Sequence, residues 1–178
     1  MRGVGLALAA LAMCAAPAAA RRASAHVSVA GITATMPAGW RPHGDQDKAL
    51  LYLSPGPGEE GVIIARHQAM IVVVPLEDWR PGDDLKRVIE TRLGEDRVTA
   101  RRGLRLKGAG DCTSVEEVDT ASEVGPDTDQ LNAGFYCVAR GRAVLVQLTH
   151  WPRDPKRAAF RAAALDVVRS LTVRPLLR

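Results

Sequence analysis

Apolar side chains at helical spacing mark one short helix near the middle of the chain. The stretch 85–93 begins behind the capping acids Asp83 and Asp84 and ends before Gly94, a residue suited to the left-handed position after a helix. Its apolar residues recur at i, i+3, i+4 and i+8, namely Leu85, Val88, Ile89 and Leu93. This spacing predicts an amphipathic helix over 85–93.

A longer apolar stripe predicts the last helix, over 154–171. Asp154 is the expected N-cap, and Pro155 occupies the first helical position, where its missing N–H removes no helical hydrogen bond. The apolar face carries Phe160, Ala163, Ala164, Val167, Val168 and Leu171. The opposite face is expected to meet water through Lys156, Arg157, Arg161 and Arg169.

The other apolar stretches are rich in β-branched residues and are bounded by turn residues, which predicts strands. Their predicted ranges are 27–36 with a break at Gly31, 49–53, 62–74, 97–106, 112–118, 131–139 and 143–150. Arg140 and Gly141 form a two-residue connection, which predicts a tight hairpin with Cys137 opposite Val144. Strands, a helix, more strands and a final helix predict an α+β fold, an antiparallel β-sheet flanked by helices.

The first residues have the pattern of an export signal. Arg2 precedes an apolar run over 4–16, and small alanines follow at 18–20. Such a run is too short to span a bilayer, so no retained transmembrane segment is predicted. Cleavage is expected after Ala20 or as late as residue 25, just before His26. We therefore predict a signal peptide over 1–20, a single α+β domain over 26–174, and a periplasmic or secreted location.

The three cysteines fall into two groups. Cys14 lies in the apolar run of the signal, where lipidation is disfavoured because Met13 stands where a small residue normally precedes the modified cysteine. Removal of the signal leaves Cys112 and Cys137. Two cysteines in an exported chain predict one disulfide, which would stabilise the fold by roughly 3.5 kcal/mol.

Two motifs and the order of elements carry a resemblance to a known family. The P-x-G-W pattern at 37–40 follows the first strand, and the closing helix contains Phe160 and ends in Val-Arg-Ser-Leu at 168–171. These features resemble the PsbP-like group, which includes bacterial envelope proteins of the LpqN and DcrB type. The resemblance implies an α-β-α sandwich and accessory or partner-binding proteins that are mostly not enzymes. It carries over no catalytic residues.

The amino-acid composition excludes several classes of protein but indicates no function. The distribution of charge along the chain suggests a surface that contacts a partner. The hydrophobic fraction of 47% and the charged fraction of 25% are average, which excludes a coiled coil, a collagen-like repeat and a disordered chain. A net charge of +4 is too small to argue for nucleic acid. The stretch 97–107 contains five basic residues and no acid, and the stretch 111–129 contains seven acidic residues and no base. Either the acids contact a partner, with Glu116, Glu117 and Asp119 foremost, or the two blocks neutralise each other across adjacent strands.

Three tryptophans and four histidines complete the candidate residues. Trp40, Trp79 and Trp151 stand beside or near prolines at the ends of elements, where they could line a shared pocket, anchor a partner, or cap the edges of the core. The histidines lack the spacing of metal or catalytic motifs, so no metal site or cofactor is predicted. We expect an exported, non-catalytic protein that binds a protein partner, with an immunity or inhibitor protein as one form of this role. The alternative is a small-ligand carrier or hydrolase with a site near His67, His150 and Trp151.

Overall fold

The computed structural model of the protein describes residues 26–43, 49–55, 68–93, 97–108, 110–122 and 130–175. The expected signal peptide, Cys14, His67 and the acids at 123, 127 and 129 lie outside these ranges. The described elements are β1 (His26–Val29), β2 (Ile32–Thr35), β3 (Arg41–Pro42), β4 (Leu50–Leu53), β5 (Ala69–Pro75), α1 (Leu85–Leu93), β6 (Arg97–Leu104), β7 (Ser114–Ser122), β8 (Gln130–Ala139), β9 (Arg142–His150), α2 (Arg157–Ser170) and β10 (Thr172–Val173).

Two antiparallel sheets form the framework. The larger has seven strands in the order β3-β4-β5-β9-β8-β7-β6, and the smaller has three in the order β1-β2-β10. Every described pair of neighbouring strands is antiparallel. The α+β class predicted from the order of elements is therefore confirmed.

Both tight turns follow from residues that adopt positive φ. Ala30 and Gly31, at φ 47° and 76°, divide the first predicted strand into β1 and β2. Arg140 and Gly141, at φ 47° and 73°, join β8 to β9. Positive φ at both central residues matches the right-handed twist of the flanking strands. The second hairpin sets the predicted register, with Cys137 opposite Val144.

The last helix begins two residues later than its capping pattern predicts, at Arg157 instead of Pro155. The carboxylate of Asp154 accepts a hydrogen bond from the backbone N–H of Lys156 at 2.7 Å, and its carbonyl accepts one from the N–H of Arg157 at 3.2 Å. These bonds close a turn before α2, which starts at Arg157. Asp154 thus stabilises the approach to the helix and is not its N-cap.

The two helices cover opposite faces of the seven-stranded sheet. Successive side chains of a strand point to opposite faces. In β8, Phe135 belongs to the core that contains Phe160 and Val168 of α2, whereas the next residue, Tyr136, belongs to a second core with Ile89 of α1. The structure therefore has two apolar layers, and we call these two sides of the sheet the α2 face and the α1 face.

A disulfide lies at one end of the α2 face. Cys112 and Cys137 are bonded, with their Cα atoms 5.6 Å apart, a separation within the ordinary range for a bridge. The neighbouring segment reaches the end of α2, because the N–H of Asp111 donates to the carbonyl of Leu171 at 3.0 Å. The Asp111 carboxylate also accepts from the N–H of Val173 at 2.8 Å. The segment thus joins β8, the end of α2 and β10.

Gly110 provides the close approach in that segment, and replacing it should destabilise the fold. A Cβ at Gly110 would overlap the carbonyl oxygen of Leu171 and lie 3.0 Å from that of Arg169, both backbone atoms. Gly108 has a similar positive φ, 65° against 57°, but a Cβ there meets nothing within 4 Å. We expect Gly110→Ala to lower the free energy of unfolding by about 1–3 kcal/mol more than Gly108→Ala, measured by urea denaturation. Equal losses would mean that only the backbone conformation matters.

Candidate functional site

The groove on the α2 face is the candidate site. It has a volume of about 380 Å³ and lies between the beginning of α2 and strands β6 to β9. We call it the α2 groove. The residues of its lining that bear on function are Arg102, Asp119, His150, Arg157, Ala158 and Arg161. Its volume falls within the range of small-ligand sites, and it carries charged groups from both helix and sheet.

Strand register explains why these side chains meet. Arg102 of β6 lies opposite Glu117 of β7, and Glu117 lies opposite Phe135 of β8. Residues directly opposite each other share a face of the sheet. Since Phe135 belongs to the core under α2, Glu117 and Arg102 also point to the α2 face. There they meet Arg161, which projects from the first half of the helix.

Glu117 is a buried carboxylate held by two arginines. Its side chain is 1% exposed. The Nε of Arg161 donates to Oε1 at 2.6 Å and its Nη2 donates to Oε2, while the Nε of Arg102 donates to Oε2 at 2.7 Å. The guanidinium of Arg161 therefore binds the carboxylate through two parallel hydrogen bonds, the strongest common geometry for this pair. Helix and strand are joined through one acid.

The balance of burial and hydrogen bonding keeps Glu117 ionised. Burial acts to raise the pKa of the Glu117 carboxyl, but the hydrogen bonds from Arg161 and Arg102 together outweigh it and bring the pKa below its ordinary value. The same bonds to Glu117 raise the pKa of Arg161 and of Arg102, against the opposing effect of burial. All three groups are charged at neutral pH.

The acids expected to form a contact face are paired across strands instead. Glu116 accepts a hydrogen bond from Arg101, and Asp119 accepts one from Arg102. Glu117 is buried, which removes it from any surface that a partner could reach. Mutual neutralisation of the basic and acidic blocks is thus what the structure shows for these three residues. Glu116 and Asp119 remain partly exposed, and each is paired with an arginine.

His150 is in the groove, with its tautomer set by the backbone. Its Nδ1 lies 2.8 Å from the carbonyl oxygen of Trp151. A carbonyl only accepts, so Nδ1 carries the proton of the neutral ring, and Nε2 has the lone pair. Trp151 is half-buried and is not part of the groove lining. His67, the other member of the site proposed from sequence, lies outside the described residues.

The other two tryptophans are core residues on opposite faces. Trp40 is 9% exposed and packs edge-on against Phe160 of α2, with ring centroids 6.2 Å apart. Trp79 is 8% exposed and belongs to the core under α1. Since the sheet lies between them, the two rings cannot line a shared pocket. Their burial favours the reading as caps over the core and leaves little of either ring for a partner to contact.

Sequence reasoning missed the arginines of the site. The sequence predicts that Arg157 and Arg161 face water, and in the structure Arg157 is exposed and Arg161 is 41% exposed, but no pattern indicated that they share a groove with Arg102. The available signal was Glu117 itself, at an inward position of an alternating strand, where an acid requires a cationic partner. Among the described residues, no group of three or more His, Cys, Asp or Glu is placed to hold a metal ion. Neither described helix has the length and apolarity of a membrane span.

Comparisons with known proteins show the fold. No protein-family model matches the chain, and no curated protein does. Among solved structures, LpqN, involved in cell envelope biogenesis of Mycobacterium tuberculosis, is similar with a TM-score of 0.54 and 15% identity, over 85% of this chain and 91% of that chain. The Ran-binding protein Mog1p of Saccharomyces cerevisiae is similar with a TM-score of 0.51 and 16% identity, over 85% and 96% of the respective chains.

A third similar structure comes from Bacteroides thetaiotaomicron, with a TM-score of 0.51 and 12% identity. It matches 82% of this chain, which spans about half of that protein's length, 46%. The class defined by these likenesses is an α+β domain with the fold of LpqN and Mog1p. At such low identity the likenesses show the fold alone.

The buried carboxylate should make stability depend on pH. Unfolded, Glu117 titrates near its ordinary pKa of 4.5, and folded it titrates lower, so its contribution is present above pH 4.5 and lost as the pH falls through the folded value. We expect Glu117→Gln to lower the free energy of unfolding by about 2–3 kcal/mol at pH 7, because a neutral amide cannot replace the charged hydrogen bonds that the buried carboxylate accepts from Arg161 and Arg102. The difference from the native protein should narrow below pH 4.5, measured by denaturant titration at several pH values.

Glu116→Gln is the matched control for this prediction. Glu116 is the adjacent acid, its side chain is 26% exposed, and it is paired with Arg101. A pair of this kind contributes about 1 kcal/mol or less. Equal destabilisation by the two variants, or a difference for Glu117→Gln that does not change with pH, would contradict the assigned role of the Glu117 carboxylate.

Proposed function

We propose that this protein is an exported, non-catalytic binding protein of PsbP-like architecture, located in the periplasm or secreted, that engages a protein partner through the α2 groove. The observation that carries the proposal is the groove itself. It combines a ligand-sized volume with arginines from α2 and β6, two of which are held in place by the buried Glu117. An immunity or inhibitor role is one form that such binding would take.

Other features support this proposal. The pattern of the first twenty residues favours export, and the Cys112–Cys137 bond suits an oxidising compartment. LpqN is involved in cell envelope biogenesis, and Mog1p is a Ran-binding protein. These are properties of those proteins, and they are compatible with a shared architecture used for accessory and binding roles.

The position of His150 favours a second candidate, a small-ligand carrier. The histidine and three arginines line the same groove, whose volume suits a small polar molecule as well as a side chain or terminus of a protein. This candidate uses the same groove and differs in what occupies it. A hydrolase would in addition need a nucleophile or activated water at His150, and a second group such as His67 to complete the site.

Site-directed photocrosslinking would test the partner-binding role. Ala158 is exposed and lines the groove, while Ala162 is exposed one turn later on the same helix and does not line it. A benzoylphenylalanine at 158 should form a covalent adduct with one protein in intact cells, because the groove places that side chain against the partner. The same group at 162 should give a several-fold lower yield, measured by mass spectrometry of the adducts.

The outcome decides between the two candidates for the groove. No protein adduct at 158, or equal adducts from 158 and 162, would count against a protein partner in the groove. An adduct from 158 that disappears when a second, unlabelled copy of the domain is supplied in excess would show that binding is saturable.

Export and the disulfide can be tested together. We expect the chain isolated from its native host to begin between residues 21 and 26, determined by N-terminal sequencing. Cys112 and Cys137 should resist alkylation by maleimide until a reductant is added, because both sulfurs are bonded. An intact N-terminus in the cytosol, with two reactive thiols, would contradict the proposed location.

A further inference from the structure

We propose that the α2 groove recognises a carboxylate group, bound by Arg157 together with the free N–H groups of Arg102 and Arg161. This inference deepens the proposed function and rests on it, since it names the chemistry of what the groove binds. The carboxylate would come from an acidic side chain or C-terminus of a protein partner, or from a free small dicarboxylate.

The arginines that line the groove have hydrogen-bond donors that no described residue uses. Arg161 donates to Glu117 through Nε and Nη2, and Arg102 donates through Nε to Glu117 and through Nη2 to Asp119. Among the described residues, neither Nη1 has an acceptor. Arg157 is exposed, and its guanidinium has no ion pair within the described part of the chain. Counted against the residues that the structure describes, the groove thus contains two partly free guanidinium groups, those of Arg102 and Arg161, and one without an ion pair, that of Arg157.

The charges of the described residues around the groove also favour binding of an anion. Three arginines border the groove, Arg102, Arg157 and Arg161, against the two carboxylates of Glu117 and Asp119. Within the described ranges, the surplus at the groove is one positive charge, located on Arg157. A single bound carboxylate would balance it. Binding of an anion is therefore electrostatically favourable, and binding of a cation is not.

The buried acid also prepares the site for binding. Glu117 fixes the planes of the Arg102 and Arg161 guanidinium groups, so little side-chain entropy remains to be lost when a ligand arrives. A planar fork of N–H donors matches the geometry of a carboxylate. Two of the three guanidinium groups already bind carboxylates in this structure, which shows that the surroundings accommodate this pairing.

Titration of the mature domain with defined probes would test the inference. The probes are glutarate, a capped peptide of three glutamates, and its counterpart with three glutamines, followed through the arginine Nε–H and histidine ring signals in NMR spectra. We expect saturable shifts with glutarate or the glutamate peptide, and none with the glutamine peptide. Arg157→Gln should weaken that binding about tenfold, as loss of a hydrogen bond between charged groups does.

Arg153→Gln is the matched control. Arg153 is an exposed arginine four residues before Arg157 and lies outside the groove lining. Its replacement removes the same charge and should change the affinity less than twofold. Equal weakening by both variants would show only a general attraction to positive charge and would overturn the proposal. Tighter binding of inorganic phosphate than of glutarate, or no saturable shift with either carboxylate probe, would overturn it as well.

The two proposals fail in different ways. Saturable carboxylate binding that depends on Arg157, without any protein adduct from position 158, would support the carboxylate site and place a small ligand in it. A protein adduct at 158 whose yield is unchanged by Arg157→Gln would support partner binding and overturn the carboxylate site. Preference for the glutamate peptide over glutarate identifies a protein as the source of the carboxylate.

Discussion

The arrangement of α2 on the sheet depends on one buried charge. Removing an ionised carboxylate from water costs several kcal/mol unless hydrogen bonds to cations compensate. Glu117 obtains this compensation from one arginine on a strand and another on the helix. A shift of α2 by one residue would move Arg161 away and leave the buried acid with Arg102 alone. The contacts of Glu117 with the two arginines therefore favour one register of helix against sheet, in addition to the apolar packing of α2.

The end of α2 is held by a different set of interactions. The disulfide fixes Cys112 beside β8. The backbone N–H of Asp111 donates a hydrogen bond to the carbonyl oxygen of Leu171, the residue that follows α2. Asp111 also forms an ion pair with Arg140 at 2.9 Å, and the hydrogen bond from the Val173 N–H together with Arg140 lowers the pKa of its carboxyl. With both halves of α2 anchored, the groove beside its first turns has walls that need little rearrangement to bind a ligand.

The charge blocks show how a surface pattern can mislead when the strand order is unknown. A basic block followed by an acidic block predicts a dipolar face if the two lie apart, and neutral pairs if they lie side by side. β6 and β7 are antiparallel neighbours, so Arg102 meets Glu117 and Arg101 meets Glu116. The charge of Arg157, which has no ion pair with any residue that the structure describes, comes from a helix far along the chain. Arg157 matters for binding because Glu117 and Asp119, the acids beside the groove, are already paired with Arg102 and Arg161.

The sequence by itself determined the α+β class and the longer strands and helices, because helical and strand periodicities are local, as are the Ala30–Gly31 and Arg140–Gly141 turns. It did not predict the two-residue strands β3 and β10 or the first residue of α2. It also placed Cys137 opposite Val144, since a two-residue hairpin leaves a single register. Only the tertiary structure decided that Trp40 and Trp79 belong to separate cores, that Glu117 is inaccessible, and that Arg102, Arg157 and Arg161 share a groove. These outcomes depend on the order of strands in the sheet and on the face that each helix covers. Contacts between residues distant in sequence set both, and no local pattern records them.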